Sequence, residues 1–497
     1  MDDAALTYAL LQPSAYPPPV QDVQVIETHI SRVFLAGPFA YKVRKPVKFD
    51  FVDFSTPQAR HADCEAELRL NRRFAPALYL DVLPIVAGET PGAVVVGGRG
   101  TPLEYAVRMR RFAQHDLLID MIGAGRLGPD HIDALARDIA IFHGAQPRAA
   151  PHEGFGTPAS IDATLEECLD GLARLTFDRN MTDRVANAAR ARVAALQDAF
   201  QARLRHGHVR ECHGDLHLGN IVLFDGNPTP FDCLEFEPRL RWIDTASDIA
   251  FPFMDLLHHG RPDLAYRLLN GYLERHGDYA GLAVLPFYVA MRALVRARVR
   301  LERARQRHVE STALDLVHVE CRALLNLAFQ FLTLPAAPLW VMHGLSGSGK
   351  STVAATMSET RAMVRVRSDV ERKRLRNANA QQEARYSDSV TARTYHRVLA
   401  ICRLGCTAGF PMIADATFLS HDQRARFANQ ARRLGVRFFI VDCKAPVETL
   451  RARIVARAQA RQDPSDADLA VLALQLRAHD PLTTEERIHV VPADHPG

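Results

Sequence analysis

A glycine-rich segment of eight residues carries the most specific chemistry in the sequence. Residues 344–351 read Gly-Leu-Ser-Gly-Ser-Gly-Lys-Ser, which satisfies the pattern GxxxxGK followed by Ser or Thr. In this pattern successive backbone amides curve around phosphate oxygens, Lys350 reaches the terminal phosphates and the Ser351 hydroxyl faces Mg²⁺. The strand-like run Leu339–His343 precedes the segment and the helix-compatible run Thr352–Met357 follows it, so a phosphate-binding loop is predicted. The residues expected to contact the nucleotide are Gly344, Ser346, Gly347, Ser348, Gly349, Lys350, Ser351 and Thr352.

A second group of polar residues occupies positions 213–220, which read His-Gly-Asp-Leu-His-Leu-Gly-Asn. Asp215 and Asn220 have the spacing of the base and the metal-binding asparagine in a kinase catalytic loop. Asp232 follows in a strand-like context, where a second metal-binding carboxylate is expected. Phosphoryl transfer requires an acceptor for the hydroxyl proton and oxygen ligands for Mg²⁺, which these side chains provide. The alternative interpretation is a polar turn between two strands.

This arrangement resembles that of the aminoglycoside phosphotransferase-like kinases, relatives of the protein-kinase fold that carry HGDxHxxN and then a strand with an aspartate. The resemblance covers about residues 25–335. It implies an α+β, bilobal kinase-like domain in which Asp215 is the catalytic base and Asn220 and Asp232 bind Mg²⁺. Later aspartates often brace the catalytic loop in such families, and Asp244 and Asp248 match that role, with helix capping as the alternative for Asp248.

The same resemblance implies an ATP-binding lysine and a partner glutamate in the small lobe. Lys42 lies within the strand-like run Phe39–Arg44, whereas Lys45 lies an odd number of residues away and points to the opposite face. Helical spacing places Glu67 on an apolar face and Glu65 among arginines. We therefore expect Lys42 to contact the nucleotide and Glu67 to pair with it, with Lys45 as the residue that could replace Lys42.

The sequence departs from the kinase pattern at the phosphate loop of the small lobe. It contains no GxGxxG motif there, and the turn between the first two strand-like runs reads Thr28-His-Ile-Ser31. Backbone amides and the Ser31 hydroxyl could donate to a phosphate in this turn. An ordinary hairpin turn is equally compatible with these residues.

The C-terminal segment, about residues 339–491, resembles a group of P-loop kinases that includes polynucleotide kinases, gluconate-type kinases and zeta toxins. Asp369 and Asp415 each follow a strand-like run, so both carboxylates are expected at the ligand-binding edge of a parallel sheet. The resemblance implies that Asp369 acts as base toward the acceptor hydroxyl and that Asp415 holds Mg²⁺ through water. It also implies a lid whose arginines, Arg453 and Arg457, contact the transferred phosphate. Loop carboxylates and a solvated helix face are the alternatives.

The proline-bounded residues 334–338 separate two patterns of secondary structure. Short strand-like runs followed by helical patterns predict an α+β domain before this linker. Strands that alternate with helices predict an α/β domain with a parallel, doubly wound sheet after it. The expected boundaries are 1–24 for an N-terminal extension, about 25–115 for the small lobe and 116–335 for the helical lobe of the kinase-like domain, and 339–497 for the P-loop domain.

The composition indicates a globular protein of the cytoplasm. Of 497 residues, 47% are hydrophobic and 24% are charged, which excludes disordered and fibrous classes. The N-terminus carries acidic residues where a signal peptide requires basic ones, and no apolar run approaches the roughly 20 residues of a membrane span. The 8 cysteines show no metal-binding spacing, so reduced and mostly buried thiols are expected.

The distribution of charge bears on the acceptor. Aminoglycosides are polycations that need an acidic pocket, whereas residues 286–307 contain many arginines and one acid. Four of these arginines form a stripe at helical spacing: Arg296, Arg300, Arg303 and Arg307. A solvated helix explains the stripe, and an anionic partner is the alternative. Aminoglycosides are therefore not favoured as acceptors.

The leading hypothesis is a bifunctional ATP-dependent phosphotransferase that acts on small-molecule hydroxyl acceptors, with a separate ATP and Mg²⁺ site in each domain. One alternative is a regulatory protein in which the kinase-like domain is an ATP sensor and only the P-loop domain transfers phosphate. Another is phosphorylation of nucleic-acid ends by the P-loop segment. Residues 339–497 contain 24 basic and 16 acidic residues, a net charge of +8, which is compatible with such a partner.

Overall fold

The computed structural model describes residues 1–49, 52–175, 177–306, 311–378, 388–460 and 468–493. The chain forms two compact units. The first unit comprises Met1–Thr157 and Leu204–Pro252, and the second comprises Pro158–Arg203 and Phe253–Gly497. Many helical residues that precede the linker therefore belong to the same unit as the C-terminal sheet.

The helices are numbered along the chain. They are α1 (Asp3–Leu10), α2 (Pro57–Asn71), α3 (Leu118–Gly123), α4 (Pro129–Ala145), α5 (Pro158–Leu175), α6 (Arg179–Ala195), α7 (Gln197–Arg205), α8 (Pro238–Arg241), α9 (Thr245–His258), α10 (Pro262–His276), α11 (Leu285–Gln306), α12 (Ser311–Leu332), α13 (Lys350–Thr360), α14 (Ser368–Ala378), α15 (Asp388–Ala408), α16 (His421–Leu434), α17 (Val447–Ala460), α18 (Leu469–Arg477) and α19 (Thr484–Arg487). Within the described ranges, these helices are too short or too polar to cross a lipid bilayer.

The strands are numbered in the same way. They are β1 (Val23–Glu27), β2 (Ser31–Ala36), β3 (Phe39–Arg44), β4 (Lys48–Phe49), β5 (Val52–Asp53), β6 (Tyr79–Ala87), β7 (Val94–Val96), β8 (Pro102–Arg110), β9 (Val209–Glu211), β10 (Ile221–Phe224), β11 (Asn227–Pro230), β12 (Trp242–Asp244), β13 (Leu339–His343), β14 (Val364–Arg367), β15 (Met412–Asp415), β16 (Phe438–Asp442) and β17 (Val490–Pro492).

The first unit contains a six-stranded antiparallel sheet with the order β1-β2-β3-β8-β6-β7. Alternation along β3 sends Tyr41 into an apolar cluster with residues of α1, and Ala40 into a cluster with residues of α2. Lys42 shares its strand face with Ala40 and is thereby directed toward α2. Helix α2 begins after Thr56, whose side chain accepts a hydrogen bond from the amide of Ala59.

The polar segment of the first unit lies among short strands. β9 pairs with β12, and β10 pairs with β11, both antiparallel. Asp232, which has a strand-like context in the sequence, lies just beyond β11 (Asn227–Pro230), because the backbone turns at Asp232, where φ is +61°. This left-handed conformation is uncommon for a residue other than glycine and takes Asp232 out of the strand.

The second unit contains a five-stranded parallel sheet with the order β14-β15-β13-β16-β17. Strand β13 has the bounds expected from the sequence, Leu339–His343, and the loop at 344–349 joins it to α13. Apolar residues of β13, such as Trp340 and Met342, pack with Met357 of α13 in the core beside the sheet. The predicted combination of an α+β part with an antiparallel sheet and an α/β part with a parallel sheet is confirmed.

Candidate functional site

The loop between β13 and α13 has the geometry of a phosphate-binding loop. Gly344, Gly347 and Gly349 all have positive φ angles, of 138°, 84° and 89°. A Cβ atom on Gly344 would lie 2.3 Å from the carbonyl oxygen of Cys443, and one on Gly347 would lie 2.8 Å from that of Leu450. Side chains at these positions are therefore excluded by sterics as well as by backbone conformation.

Lys350, the first residue of α13, folds back over this loop. Its Nζ donates a hydrogen bond to the carbonyl oxygen of Leu345 (2.7 Å) and lies 3.4 Å from the Oγ of Ser348. Burial lowers the pKa of Lys350 to about 8, since the charged form loses water and no carboxylate bonds to it directly among the described residues. A phosphate group would supply the missing negative charge.

Ser351 and Asp415 form the oxygen-rich end of the same loop. The Ser351 hydroxyl donates to Oδ1 of Asp415 at 3.2 Å. The other oxygen of Asp415, Oδ2, is buried and has no hydrogen-bond partner within the described part of the chain. Burial raises the pKa of this carboxyl, against the opposing effect of Arg365 and Arg367. A hydroxyl and an unsatisfied carboxylate oxygen are ligands that suit Mg²⁺, so these residues fit the expected metal.

Asp369 lies in the first turn of α14, directly after β14, and its Oδ1 accepts a hydrogen bond from Arg372 (2.7 Å). It lines a cavity of about 200 Å³ together with the loop. Most of the residues that the sequence assigned to the P-loop site line this cavity, namely Ser346, Gly347, Gly349, Lys350, Ser351, Thr352, Asp369, Asp415, Arg453 and Arg457. The structure thus brings the expected P-loop residues together around one cavity.

Residues of the helices α17 and α18 also contact the loop. Arg453 Nη1 donates to the carbonyl oxygen of Gly347 at 3.3 Å. Gln475 of α18 was not expected from the sequence, and its Oε1 accepts a hydrogen bond from the amide of Ser346 at 2.9 Å. Leu472 buries its side chain in a small cluster that includes Leu345 of the loop. A single glutamine carries no spacing signal, so sequence reasoning had no means of finding this contact.

A larger cavity of about 1400 Å³ adjoins the loop at Gly349 and Thr352. At its wall His343 Nδ1 lies 2.8 Å from Oδ1 of Asp442, and both side chains are nearly covered. The cavity is large enough for a nucleoside, since ligand pockets commonly measure about 300–1,000 Å³. It extends the phosphate site and offers room for the rest of a nucleotide.

In the first unit, Lys42 joins two carboxylates. Its Nζ lies 2.8 Å from Oε1 of Glu67 and 2.6 Å from Oδ1 of Asp232. Glu67 is fully buried. The two carboxylates raise the pKa of Lys42 well above its usual value despite burial, so the ammonium is charged. Lys45 instead pairs with Glu27 and donates to the carbonyl oxygen of Thr28, away from this cluster.

Arg44 is a further member of this cluster that the sequence reasoning missed. The guanidinium is 1% exposed and bonds to Asp63 at 2.5 Å, to Glu67 at 2.7 Å and to Glu235. Arg44 lies two positions after Lys42 in the same strand, so alternation alone could have placed both cations on one face. A buried arginine with three carboxylates fixes the position of Glu67 relative to Lys42.

Ser31 lies at the start of β2 rather than in an open turn. Its side chain is fully covered, and its Oγ accepts a hydrogen bond from Arg44 Nη1 at 2.7 Å. The hydroxyl is therefore engaged inside the protein. We leave Ser31 out of the proposed nucleotide site for this reason.

Asp215 and Asn220 are in hydrogen-bond contact within the predicted catalytic loop. The Asn220 amide nitrogen donates to Oδ2 of Asp215 and to its carbonyl oxygen, both at 3.0 Å. Asp215 is also close enough to Asp232 for its negative charge to raise the pKa of that carboxyl, although Lys42 holds the pKa below its usual value overall. Two carboxylates and an amide oxygen near Lys42 are a donor set that fits Mg²⁺ and phosphate.

Asp248 supports the start of this loop. Its carboxylate accepts hydrogen bonds from the amides of His213 (3.0 Å) and Gly214 (2.9 Å) and lies 3.0 Å from Nε2 of His143. Asp248 and His143 are both completely buried. The contacts are those of a residue that braces the loop, which is one of the two roles that the sequence left open.

Two arginines of the stripe on α11 are paired with acids of the same unit. Arg296 lies 3.8 Å from Asp255, and Arg300 pairs with Glu320 of α12. Arg307, the last member of the stripe, lies outside the described residues. These ion pairs account for two of the arginines without an anionic ligand.

Comparison with known proteins gives matches in both parts of the chain. A family model described as an AAA domain matches residues 339–482. The chain is 33% identical to the uncharacterized protein Rv2004c of Mycobacterium tuberculosis over 477 residues, which cover 92% of this chain and 91% of that protein. Similarity over nearly the full length of both chains shows a shared family.

Solved structures of kinases resemble each part. A choline/ethanolamine kinase family protein from Mesorhizobium loti is 17% identical, covers 66% of this chain and 98% of its own, and has a TM-score of 0.38. A gluconokinase from Sinorhizobium meliloti is 16% identical, covers 33% of this chain and 86% of its own, and has a TM-score of 0.25.

Proposed function

We propose that this chain, which belongs to the same protein family as the mycobacterial protein Rv2004c, is an ATP-dependent phosphotransferase with two nucleotide sites. One site lies in the second unit, at the loop between β13 and α13. The other lies in the first unit, at Lys42 and the segment 213–232. The acceptors are small molecules with a hydroxyl group, and aminoglycosides are not among them.

The P-loop carries this proposal. Its glycines have the positive φ angles and close contacts that allow backbone amides to surround a phosphate chain. Lys350 supplies a buried ammonium, and Ser351 with Asp415 supplies oxygens for a divalent cation. Mg²⁺ at this place would neutralise charge on the phosphates during transfer. The match of residues 339–482 to the AAA family model agrees with this assignment.

Asp369 has a suitable position to act on the acceptor. It lines the same cavity as Lys350 and Asp415, at the carboxyl end of β14. Its carboxylate would orient the acceptor hydroxyl and accept its proton, while Arg453 and Arg457 would contact the transferred phosphate. The hydrogen bond from Arg372 would hold the carboxylate in position until then.

The site of the first unit supports the same class of reaction. Lys42 would contact nucleotide phosphates, and Glu67 would hold its ammonium in place. Asp215 would accept the proton of the acceptor hydroxyl, while Asn220 and Asp232 would bind Mg²⁺. Because Lys42 and Asp232 are in direct contact, the proposed phosphate-binding and Mg²⁺-binding groups lie next to each other.

The test is transfer of phosphate from γ-labelled ATP to a panel of metabolites and oligonucleotides. Variants Lys350→Ala and Asp215→Ala should each abolish one set of labelled products and leave the other unchanged. Lys48→Ala serves as a control, since this residue is exposed and, among the described residues, its ammonium forms a surface ion pair with Asp53. Full transfer to every acceptor by both site variants would contradict the proposal.

The first unit has a second candidate function as an ATP sensor. The turn that precedes β2 contains no glycine, and Ser31 points into the protein, so this unit lacks the usual loop over the phosphates within its described residues. The sensor hypothesis expects nucleotide binding that depends on Lys42 but no labelled product that depends on Asp215. Measurement of nucleotide affinity beside the transfer assay separates the two functions.

A further inference from the structure

Helix α10 covers the edge of the parallel sheet at β14. Its Asn270 is 8% exposed and bonds twice to the chain around edge strand β14. Nδ2 donates to the carbonyl oxygen of Met363 (2.9 Å), and Oδ1 accepts from the amide of Arg365 (2.8 Å). Arg267 of α10 also pairs with Glu359 of α13 at 2.8 Å. These contacts fix α10 to two elements that build the phosphate site.

Glu274, one turn further along α10, binds two arginines of β14. Its Oε2 lies 3.3 Å from Nη2 of Arg365, and its Oε1 lies 3.1 Å from Nη1 of Arg367. The two arginines are two positions apart in a strand, so their side chains leave the sheet on the same face. One carboxylate therefore anchors both guanidinium groups.

The same arginines extend to the proposed Mg²⁺ ligands. Arg365 Nη1 donates to the carbonyl oxygen of Ser351 at 3.0 Å. Arg367 Nε lies 3.9 Å from Oδ2 of Asp415, the buried oxygen without a hydrogen-bond partner among the described residues. A guanidinium that moved closer would form a charge-assisted hydrogen bond with this oxygen and compete with a cation for it. Glu274 and Asp415 thus share the charge of Arg367.

We propose that Glu274 is a positioning residue of the P-loop site, which holds Arg365 and Arg367 so that Oδ2 of Asp415 is available to Mg²⁺. The proposal rests on the proposed function of that site. It gives α10, which precedes the linker, a part in the chemistry of the loop that follows the linker. Partners that act on a metal ligand without touching the metal commonly change metal affinity by about 10- to 100-fold.

The test measures Mn²⁺ binding to the full-length chain by electron paramagnetic resonance in the presence of ADP. All proteins carry Asp232→Asn, which removes a ligand proposed for the other site. Glu274→Gln should weaken Mn²⁺ binding by roughly tenfold, because Arg367 then pairs with Asp415. The affinity for ADP without a divalent cation should stay unchanged, which a general loss of structure would not allow.

Two further variants make the outcome decisive. Glu359→Gln removes the neighbouring ion pair of α10 but does not touch Arg365 or Arg367, so Mn²⁺ affinity should equal that of the parent. In an Arg367→Gln background, Glu274→Gln should have no further effect on Mn²⁺ affinity. The proposal would be overturned if Glu274→Gln bound Mn²⁺ as tightly as its parent, or if it lost the same affinity in both backgrounds. Undiminished ADP binding by Lys350→Ala would instead contradict the P-loop function itself.

Discussion

The Nζ of Lys42 lies 2.6 Å from Oδ1 of Asp232, although 190 positions separate the two residues in the chain. The same ammonium also contacts Glu67 of α2. Strand β3, helix α2 and the segment after β11 are therefore joined through one side chain. Any phosphate that enters this place meets an ammonium whose position is already determined on two sides.

The two neighbouring lysines of the first unit should differ sharply in their effect. Lys42→Ala removes the ammonium that contacts Glu67 and Asp232, so we expect the Asp215-dependent transfer to fall by about 10²- to 10³-fold. Lys45→Ala removes only an ion pair with the exposed Glu27 and a hydrogen bond to Thr28, and should leave the rate within about twofold. Initial rates with labelled ATP check both values, and a larger loss for Lys45→Ala would show that the assignment is reversed.

The hydrogen bonds that Asp248 accepts from the predicted catalytic loop should contribute to the free energy of unfolding. Asp248→Ala leaves the buried amides of His213 and Gly214 without their acceptor, and we expect a loss of about 3 kcal/mol in the free energy of unfolding. Urea denaturation followed by circular dichroism measures this loss. Glu65→Ala, which removes an exposed contact with His61, is the matched control and should change stability by less than about 1 kcal/mol. Similar values for the two variants would show that Asp248 does not brace the loop.

Glu235, one of the carboxylates that contact Arg44, should make the first unit less stable as the pH rises. Burial, reinforced by Glu67, raises the pKa of Glu235 to about 7, although Arg44 opposes the shift. Between about pH 4.5 and 7 the folded protein keeps a proton on Glu235 that the unfolded chain has released, so stability decreases with rising pH. The expected contribution is about 3 kcal/mol over this interval, at roughly 1.4 kcal/mol for each pKa unit.

The variant Glu235→Gln isolates this contribution, because glutamine has a similar shape and does not titrate. Unfolding free energies at about pH 5 and about pH 7.5, on either side of the shifted pKa, should differ less in the variant than in the natural chain. Equal differences in the two proteins would show that Glu235 ionises at its ordinary pH in the folded state.

The hydrogen bond between Ser346 and Gln475 should compete with phosphate. Gln475→Glu places a carboxylate against the loop amide, where it satisfies the N–H and repels a phosphate, so ATP affinity should fall by about tenfold. Gln475→Ala removes the competing acceptor and should bind ATP at least as tightly as the natural chain. Titration with a fluorescent ATP analogue checks both, and weaker binding by Gln475→Ala would mean that the glutamine assists the nucleotide.

The sequence was sufficient to predict those parts of the fold that depend on local pattern. The strand, loop and helix around Lys350 follow from glycine positions and apolar runs within one short segment. The same holds for β3, whose observed bounds equal the expected run Phe39–Arg44. Asp232 is different, because its left-handed backbone conformation interrupts an apparent strand and accompanies a contact with Lys42 far away in the chain.

In the proposed sites too, the sequence predicts contacts that follow a local pattern and misses those between segments distant in sequence. The contact of Lys42 with Glu67 agrees with helical spacing, which separated Glu67 from Glu65. Sequence reasoning missed Gln475 and Glu274, because each acts through a contact between segments that are distant in sequence. Neither residue type has a sequence pattern of its own. The sequence places the Ser31 hydroxyl in the turn between the first two strand-like runs, and it does not reveal that this hydroxyl is directed toward Arg44.

The two hydrogen bonds of Asn270 have a consequence for the sheet that they border. The carbonyl of Met363 and the amide of Arg365 are the groups that an additional strand from another molecule would use to pair with β14. Asn270 occupies both and so blocks strand addition at this edge. A fragment that starts at residue 339 would lack this cover, and its self-association through β14 would set it apart from the full-length chain.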